Sequence, residues 1–273
     1  MSFVEVNGVR LHVVDEGRGE PILLLHGFTG SAASWDTVAK ALVSRRRVIR
    51  VDLLGHGRSS CPVDPARYSL AQAAADLLAV MDARGVKRFT AAGYSMGGRA
   101  ALHLALQAPE RVQALVLESA SYGIPDPAER AARRAQDEAL AQRIEREGIE
   151  AFVAYWERLP LFETQRRLPP EVREAVRRER LGHSPAGLAA SLRGAGAGAQ
   201  ECLAPRLKEL TMPALIVAGS LDPKYCALAA DMGRLLPNAR VRIVEGAGHN
   251  VHLERPEEFI AELEGFLEAA AAG

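Results

Sequence analysis

The chain has 273 residues, 48% of them apolar, so folding can bury roughly three-quarters of the surface that the unfolded chain exposes. A disordered chain, a fibre and a small disulfide-stapled domain are therefore excluded. Lys plus Arg and Asp plus Glu each total 34, which gives a formal net charge of +0. Without a net charge there is no long-range field to attract nucleic acid or an anionic membrane, and we expect neither as a partner.

The cysteines and the first residues of the chain indicate the cellular compartment in which the protein is expected. The cysteines number 3, at Cys61, Cys202 and Cys226, with no C-x-x-C pair, so they predict neither a disulfide framework nor a zinc site. The first seven residues lack the basic stretch and apolar run of an export signal, and the apolar runs are too short for a membrane span. We therefore expect a cytoplasmic protein. Its oligomeric state is left open, with a monomer as the working expectation.

The first part of the chain, up to residue 120, alternates short β-branched apolar runs with amphipathic segments of helical period. This alternation is typical of parallel strands covered by helices on both faces and predicts an α/β fold. Asn7 and Gly8 separate the first two runs and favour a hairpin turn. The predicted strands are residues 3–6, 11–15, 22–26, 48–52, 89–94, 115–118, 214–218 and 241–244. The predicted helices are residues 35–43, 69–84, 96–107, 227–236 and 257–270.

Between Ile124 and Leu210 the alternation stops, and the chain becomes helical in period, rich in Ala, Arg and Glu, and interrupted by prolines. We interpret residues 124–210 as an inserted helical lid, with residues 1–123 and 211–273 forming the core. The glycine run at residues 194–198 neither follows a strand nor has the G-x-G-x-x-G spacing. It is therefore expected to be a flexible connection within the lid.

Ser95 lies in a G-x-S-x-G motif, at residues 93–97, between a predicted buried strand and a predicted helix. This context is typical of a serine held on a sharp strand-to-helix turn, because glycines leave room for the strained backbone. The following helix points its free N–H groups and positive dipole end toward Ser95, so an anion formed nearby would be stabilised. The motif predicts that Ser95 takes part in the chemistry.

A serine hydroxyl needs a histidine to take its proton and an acid to orient that histidine. His249 follows the last predicted strand, at the sheet edge where a partner for Ser95 is expected. His252 is the competing histidine, but it lies where the chain starts toward the next helix. The predicted base is therefore His249.

The acid is expected from a loop at the same edge, between Ser95 and His249 in chain order. Asp222 qualifies because it follows a predicted strand and precedes Pro223. Glu118, at the end of the preceding strand, is the alternative, whereas Asp231 is better explained as an exposed helix residue.

The loop that begins with His26, Gly27 and Phe28 follows the third predicted strand. Such a loop can present a backbone N–H beside the serine, and the N–H groups of Phe28 and Met96 are the predicted oxyanion hole. His26 and His56 are expected to make structural hydrogen bonds.

With these residues the chain resembles the α/β-hydrolase superfamily over nearly its full length, with the lid inserted between the sixth and seventh strands. Residues 93–99, 152–162, 191–194 and 248–254 are similar to a family within it, the 2-succinyl-6-hydroxy-2,4-cyclohexadiene-1-carboxylate synthases of menaquinone biosynthesis. The arginine directly after the double glycine and the Trp-to-Pro segment of the lid are the most discriminating features.

The resemblance implies a lyase that removes pyruvate from 2-succinyl-5-enolpyruvyl-6-hydroxy-3-cyclohexene-1-carboxylate, without a metal or an organic cofactor. Ser95 would then act as a base, and the partner would be a small-molecule polycarboxylate. The resemblance further implies five substrate-binding residues: Tyr94, Arg99, Arg133, Trp156 and Arg180. Arg134 or Arg193 could replace Arg133 or Arg180.

Two rival functions are compatible with the same fold. A serine carboxylesterase or a carbon–carbon bond hydrolase would use Ser95, His249 and Asp222 to attack or activate water. A non-catalytic ligand receptor on the same fold would bind in the cavity without turnover.

Overall fold

The computed structural model describes residues 2–272, and eight strands form one sheet. The strands are β1 (Ser2–Val6), β2 (Val9–Glu16), β3 (Pro21–Leu25), β4 (Arg47–Val51), β5 (Phe89–Tyr94), β6 (Val112–Glu118), β7 (Ala214–Gly219) and β8 (Ala239–Val244). Their spatial order is β1-β2-β4-β3-β5-β6-β7-β8. β2 runs antiparallel to β1 and β4, and the other neighbouring pairs are parallel. The predicted α/β fold is confirmed.

The first two strands form the predicted hairpin. Val6 pairs with Val9, so Asn7 and Gly8 alone make the turn. Both have positive φ, 47° and 78°, as a type I′ turn requires. The turn chemistry therefore sets the register of this edge of the sheet.

The helices are α1 (Asp36–Leu42), α2 (Leu70–Ala83), α3 (Met96–Gln107), α4 (Pro127–Trp156), α5 (Pro170–Leu181), α6 (Pro185–Ala195), α7 (Pro223–Leu235), α8 (Val251–Glu254) and α9 (Pro256–Ala272). α7 begins at Pro223, before the predicted start at Ala227. Asp222 caps it by accepting a hydrogen bond from the Tyr225 N–H, and a proline is well suited to the first helical position. Within residues 2–272, no helix combines the length and apolar character needed to cross a membrane.

The two faces of the sheet carry separate apolar layers. Leu23 and Leu25 of β3 pack into the layer that contains α2 and α3, whereas Ile22 and Leu24 point into the layer that contains Trp35 and α9. All four side chains are fully buried. Burial of each stabilises the fold by about 1.5–3 kcal/mol. The strand ends that carry the candidate site are thus held by cores on both faces.

The helices α4, α5 and α6 lie between β6 and β7, as predicted for the lid. α4 is interrupted at Gly148, where φ is 78° and ψ is 176°. The lid has its own apolar cluster, in which Phe152 and Leu188 are fully buried. Phe28 of the core packs against this cluster, so the lid sits directly over the loop that follows β3.

The glycine run of the lid differs from the expected flexible connection. A Cβ atom on Gly194 would lie 2.1 Å from the Pro65 carbonyl oxygen, and one on Gly198 would lie 2.2 Å from the Arg134 backbone nitrogen. These glycines therefore allow close backbone packing, and the run is a packed segment. Composition alone does not separate a mobile glycine run from a packed one.

Candidate active site

Ser95 lies on a sharp turn between β5 and α3, with φ 52° and ψ −109°. The flanking glycines are required there because a Cβ on Gly93 would lie 2.2 Å from the Gly97 carbonyl oxygen. A Cβ on Gly97 would lie 2.1 Å from the Leu25 carbonyl oxygen. The Ser95 N–H donates to the Glu118 carbonyl oxygen at 2.8 Å. The motif therefore forms the strained turn that the sequence predicts.

Ser95, His249 and Asp222 form one hydrogen-bonded chain. The distance from Ser95 Oγ to His249 Nε2 is 3.2 Å, and that from His249 Nδ1 to Asp222 Oδ2 is 2.7 Å. A carboxylate only accepts, so His249 Nδ1–H donates to Asp222 and Nε2 is left to accept the serine proton. Both partners are buried, with exposures of 2% for His249 and 6% for Asp222.

The alternatives to these residues form a second buried pair. His252 Nδ1 lies 2.6 Å from Glu118 Oε2, and the His252 N–H donates to Glu118 Oε1 at 3.0 Å. The His252 ring also stacks on Trp35 with centroids 4.0 Å apart. Neither residue is bonded to the serine hydroxyl, and Asp231 forms an ion pair with Arg234 within α7. The pair is therefore structural.

The loop after β3 makes a tight turn, in which the Gly30 N–H donates to the Gly27 carbonyl oxygen at 3.0 Å. Phe28 and Thr29 are its central residues, and Thr29 has a φ of 67°, which is uncommon for a β-branched residue. Among residues 2–272, no group accepts a hydrogen bond from the N–H of Phe28 or of Met96. Both residues line the cavity that contains Ser95, so both N–H groups fit an oxyanion hole.

His26 and His56 have structural hydrogen bonds, as expected. The Leu53 N–H donates to His26 Nε2 at 2.9 Å, and His26 Nδ1 lies 2.8 Å from the Gly27 carbonyl oxygen. His56 Nδ1 lies 3.1 Å from the Leu54 carbonyl oxygen. Burial lowers the pKa of both rings, which keeps them neutral.

The lid is bonded directly to the oxyanion loop, a contact that the sequence analysis missed. His183 Nε2–H donates to the Thr29 carbonyl oxygen at 2.9 Å, and His183 Nδ1 accepts from the Gly57 N–H at 3.0 Å. Burial lowers the pKa of His183 to about 4. Glu179 Oε1 accepts from the hydroxyls of Ser31 and Ser34, at 2.5 and 2.8 Å. No local signal marks these contacts, which join residues 126 to 154 apart in the chain.

A cavity of about 400 Å³ opens over Ser95 and His249 between the core and the lid. Aromatic rings form part of its wall: Tyr94 lies 5.4 Å from the His249 ring, and Trp156 lies 5.4 Å from the Phe28 ring. The sequence-predicted residues on its lining are Phe28, Tyr94, Ser95, Met96, Arg99, Arg133, Trp156 and His249. Gln136, Lys224 and Tyr225 also line it and were not predicted. The Asp222–Pro223 cap pattern could have placed Tyr225 at the site, because it puts this residue in the first turn of a helix that begins beside the acid.

Two arginines face this cavity. Arg99 Nη1 donates to the Ala195 carbonyl oxygen at 2.7 Å and to Gln200 Oε1 at 3.3 Å, and burial lowers the pKa of Arg99 to about 10. Arg133 Nε donates to Asp137 Oδ1 at 2.8 Å. Arg133 is thus the lid arginine that the structure brings to the site.

Arg180 lies outside the lining of the Ser95 cavity. It lines an adjoining space that also touches Phe28 and Tyr94, donates to Gln165 Oε1 at 3.1 Å, and lies 5.1 Å from the centre of the Phe162 ring. Of the alternatives, Arg193 is bound to Glu138 and Glu145, and Arg134 lines a separate outer cavity. The two spaces share Phe28, Tyr94 and Phe162, so Arg180 lies beside the Ser95 cavity without lining it.

A serine on a strand-to-helix turn, hydrogen-bonded through a histidine to an acid at the carboxyl edge of a mostly parallel sheet, defines the class of serine-dependent α/β enzymes. A family model described as the alpha/beta hydrolase fold matches residues 20–256. The chain belongs to the α/β-hydrolase family.

Individual relatives cover nearly the whole chain. A putative 2-succinyl-6-hydroxy-2,4-cyclohexadiene-1-carboxylate synthase of Bacillus subtilis is 44% identical over 255 residues, covering 93% of each chain. The structure of MenH from S. aureus is 35% identical with a TM-score of 0.92, covering 95% of this chain and 99% of that one. A thermophilic esterase from Thermogutta terrifontis is 27% identical with a TM-score of 0.86, covering 99% of each chain.

Proposed function

We propose that this chain is a carbon–oxygen lyase of menaquinone biosynthesis, a 2-succinyl-6-hydroxy-2,4-cyclohexadiene-1-carboxylate synthase. Its substrate would be the enolpyruvyl precursor, 2-succinyl-5-enolpyruvyl-6-hydroxy-3-cyclohexene-1-carboxylate, from which pyruvate is eliminated. The similar protein from Bacillus subtilis carries the same activity in its name, at 44% identity.

In the proposed reaction, Ser95 Oγ takes the ring proton next to the succinyl ketone while its own proton passes to His249 Nε2. Asp222 stabilises the imidazolium that forms. The electrons of the broken C–H bond move onto the ketone oxygen, and the N–H groups of Phe28 and Met96 hold this enolate. The electrons then return to the ring, the ring double bond shifts by one position, and the ring C–O bond to the enolpyruvyl group breaks. The departing enolpyruvate takes the proton held by His249 and becomes pyruvate.

The observation that carries this proposal is the position of Arg99. It lines the cavity that contains Ser95, and no carboxylate among the described residues forms an ion pair with it. A half-buried guanidinium whose hydrogen-bond partners are all neutral is costly unless an anionic ligand reaches it. A substrate with three carboxylates supplies such anions, whereas a neutral ester does not. Losing Arg99 is expected to weaken turnover about ten- to a hundredfold.

We further infer a cytoplasmic location. The cysteines at 61, 202 and 226 are all free, which suits a reducing compartment. Fractionation of cells that express a fluorescent fusion of the chain tests this location. Recovery of the fusion from the exported fraction would contradict it.

The decisive experiment measures pyruvate release from the enolpyruvyl substrate beside hydrolysis of a short p-nitrophenyl ester. We expect pyruvate release by the parent, and a loss of about 10⁴-fold in Ser95→Ala because the proton acceptor is removed. The exposed Ser44 provides a matched control, since Ser44→Ala removes the same hydroxyl just before β4, at the opposite end of the parallel strands from Ser95.

Each rival predicts a different result. Rapid ester hydrolysis without pyruvate release would favour the esterase. Full activity in Ser95→Ala would contradict every function that uses the serine. Binding of the substrate without turnover in the parent would favour the receptor.

A further inference from the structure

The positive charges of the two arginines that line the cavity have different hydrogen-bond partners. Arg133 donates through Nε to the buried carboxylate of Asp137 at 2.8 Å. Arg99 instead donates to two neutral oxygens, the Ala195 carbonyl at 2.7 Å and Gln200 Oε1 at 3.3 Å. Arg133 therefore has a carboxylate as a direct hydrogen-bond partner, whereas Arg99 bonds only neutral oxygens and feels Asp137 at longer range.

Both arrangements involve residues 195–200, which comprise the last residue of α6 and the five residues after it. Asp137 Oδ2 accepts from the Gly198 N–H at 3.0 Å, and the acceptor atoms of Arg99 belong to residues 195 and 200. A Cβ on Gly196 would lie 2.6 Å from Asp137 Oδ2, so the backbone must come this close. One short segment thus fixes the direction of both guanidinium groups.

Gln200 gives the half-buried Arg99 a neutral side-chain partner, as Gln165 does for Arg180. Its side chain is only 4% exposed, Oε1 accepts from Arg99, and Nε2 is buried with no hydrogen-bond partner among the described residues. A glutamate of the same length would satisfy Arg99 better and would leave no amide hydrogen unpaired. The neutral side chain thus leaves Arg99 able to bind an anion from the cavity.

We propose that Gln200 is a positioning residue that determines carboxylate affinity, holding Arg99 in place with a neutral acceptor so that its charge stays available to the substrate. Asp137, which accepts from the Gly198 N–H, also orients Arg133, but its carboxylate partly neutralises the Arg133 charge. The identity of the substrate in this inference rests on the proposed function. The expectation that the cavity binds a carboxylate rests only on Arg99.

The test places a competing carboxylate beside Arg99. Gln200→Glu keeps the length of the side chain and adds an internal anion, so the substrate carboxylate must displace it. We expect KM to rise at least about tenfold, with the loss mainly in KM, because the ion pair forms in the free enzyme. Gln72→Glu is the matched control, since Gln72 is exposed in the first turn of α2, where a negative charge is tolerated.

A second readout does not depend on turnover. Calorimetric titration with succinate, a simple dicarboxylate, is expected to show at least tenfold weaker binding to Gln200→Glu and unchanged binding to Gln72→Glu. Gln200→Met removes the acceptor without adding charge, and we expect about threefold weaker binding because Arg99 loses its orientation. This variant also serves as the test if Gln200→Glu does not fold.

The outcomes separate the two proposals. Equal succinate affinity in the parent and in a folded Gln200 variant would overturn the role of Gln200, even if the parent releases pyruvate. A parent that binds succinate but releases no pyruvate would overturn the proposed function alone. A parent without affinity for succinate would also overturn the present inference, since there would be no available charge for Gln200 to preserve.

Discussion

Two histidine–carboxylate pairs lie at the carboxyl ends of neighbouring strands, and only one of them reaches the serine. His249 connects Asp222 to Ser95, whereas His252 and Glu118 bind each other beneath Trp35. Chain order and the strand-to-loop position were enough to choose His249 and Asp222. The partner of Glu118 could not be predicted, because that contact joins residues 134 apart and has no local pattern.

Substitution of the acid in each pair is expected to affect a different property, turnover in one pair and stability in the other. Asp222→Asn should lower turnover about 10⁴-fold, because the wrong tautomer of His249 is favoured, while the cap of α7 is kept. Glu118→Ala should instead lower the free energy of unfolding by about 2–4 kcal/mol, because two buried donors of His252 lose their acceptor. Urea denaturation and steady-state kinetics of both variants check this. Full turnover in Asp222→Asn, or unchanged stability in Glu118→Ala, would contradict the assignment.

At the scale of elements, patterns of period and turn chemistry predicted the sheet well and the lid less well. The eight strands and the Asn7–Gly8 hairpin were read directly from alternation and turn residues. α7 begins at Pro223, four residues before the predicted start, because Asp222 caps the helix in addition to bonding His249. The glycine run was misjudged because its packing partners come from other elements.

The contact between His183 of the lid and the oxyanion loop is expected to matter for rate. His183 holds the carbonyl of Thr29, a strained residue next to the Phe28 N–H. In His183→Ala we expect kcat to fall about tenfold, less than the loss of a whole oxyanion donor, with a smaller change in KM. Steady-state kinetics measure the split. His183→Gln, which can still donate, should recover part of the rate, and an unchanged kcat in His183→Ala would contradict the role.

For the whole molecule, buried histidines predict a loss of stability in mild acid. Burial lowers the pKa of His26, His56, His103 and His183, to about 4 in the last two. Between pH 6.5 and 4 the unfolded chain, with histidine pKa near 6.5, therefore binds more protons than the native one. Stability must fall as the pH falls through this window, by up to about 1.4 kcal/mol per pH unit for each fully affected histidine.

Thermal unfolding followed at pH 7, 6 and 5 measures this effect. We expect Tm to fall by about 5 °C or more between pH 7 and 5. His183→Gln removes one titrating group, so its decline should be shallower than that of the parent. A Tm that is constant or higher at pH 5 would show that these rings are not held neutral.

The lid joins two strands that are themselves neighbours, since β6 and β7 pair in register. The groups that move the proton all follow core strands, whereas Arg133, Trp156 and both acceptors of Arg99 belong to this single continuous insertion. Exchange of one stretch of gene can therefore alter ligand preference while the reactive machinery is inherited intact. Descendants of one ancestor can diverge in substrate without reinventing their chemistry.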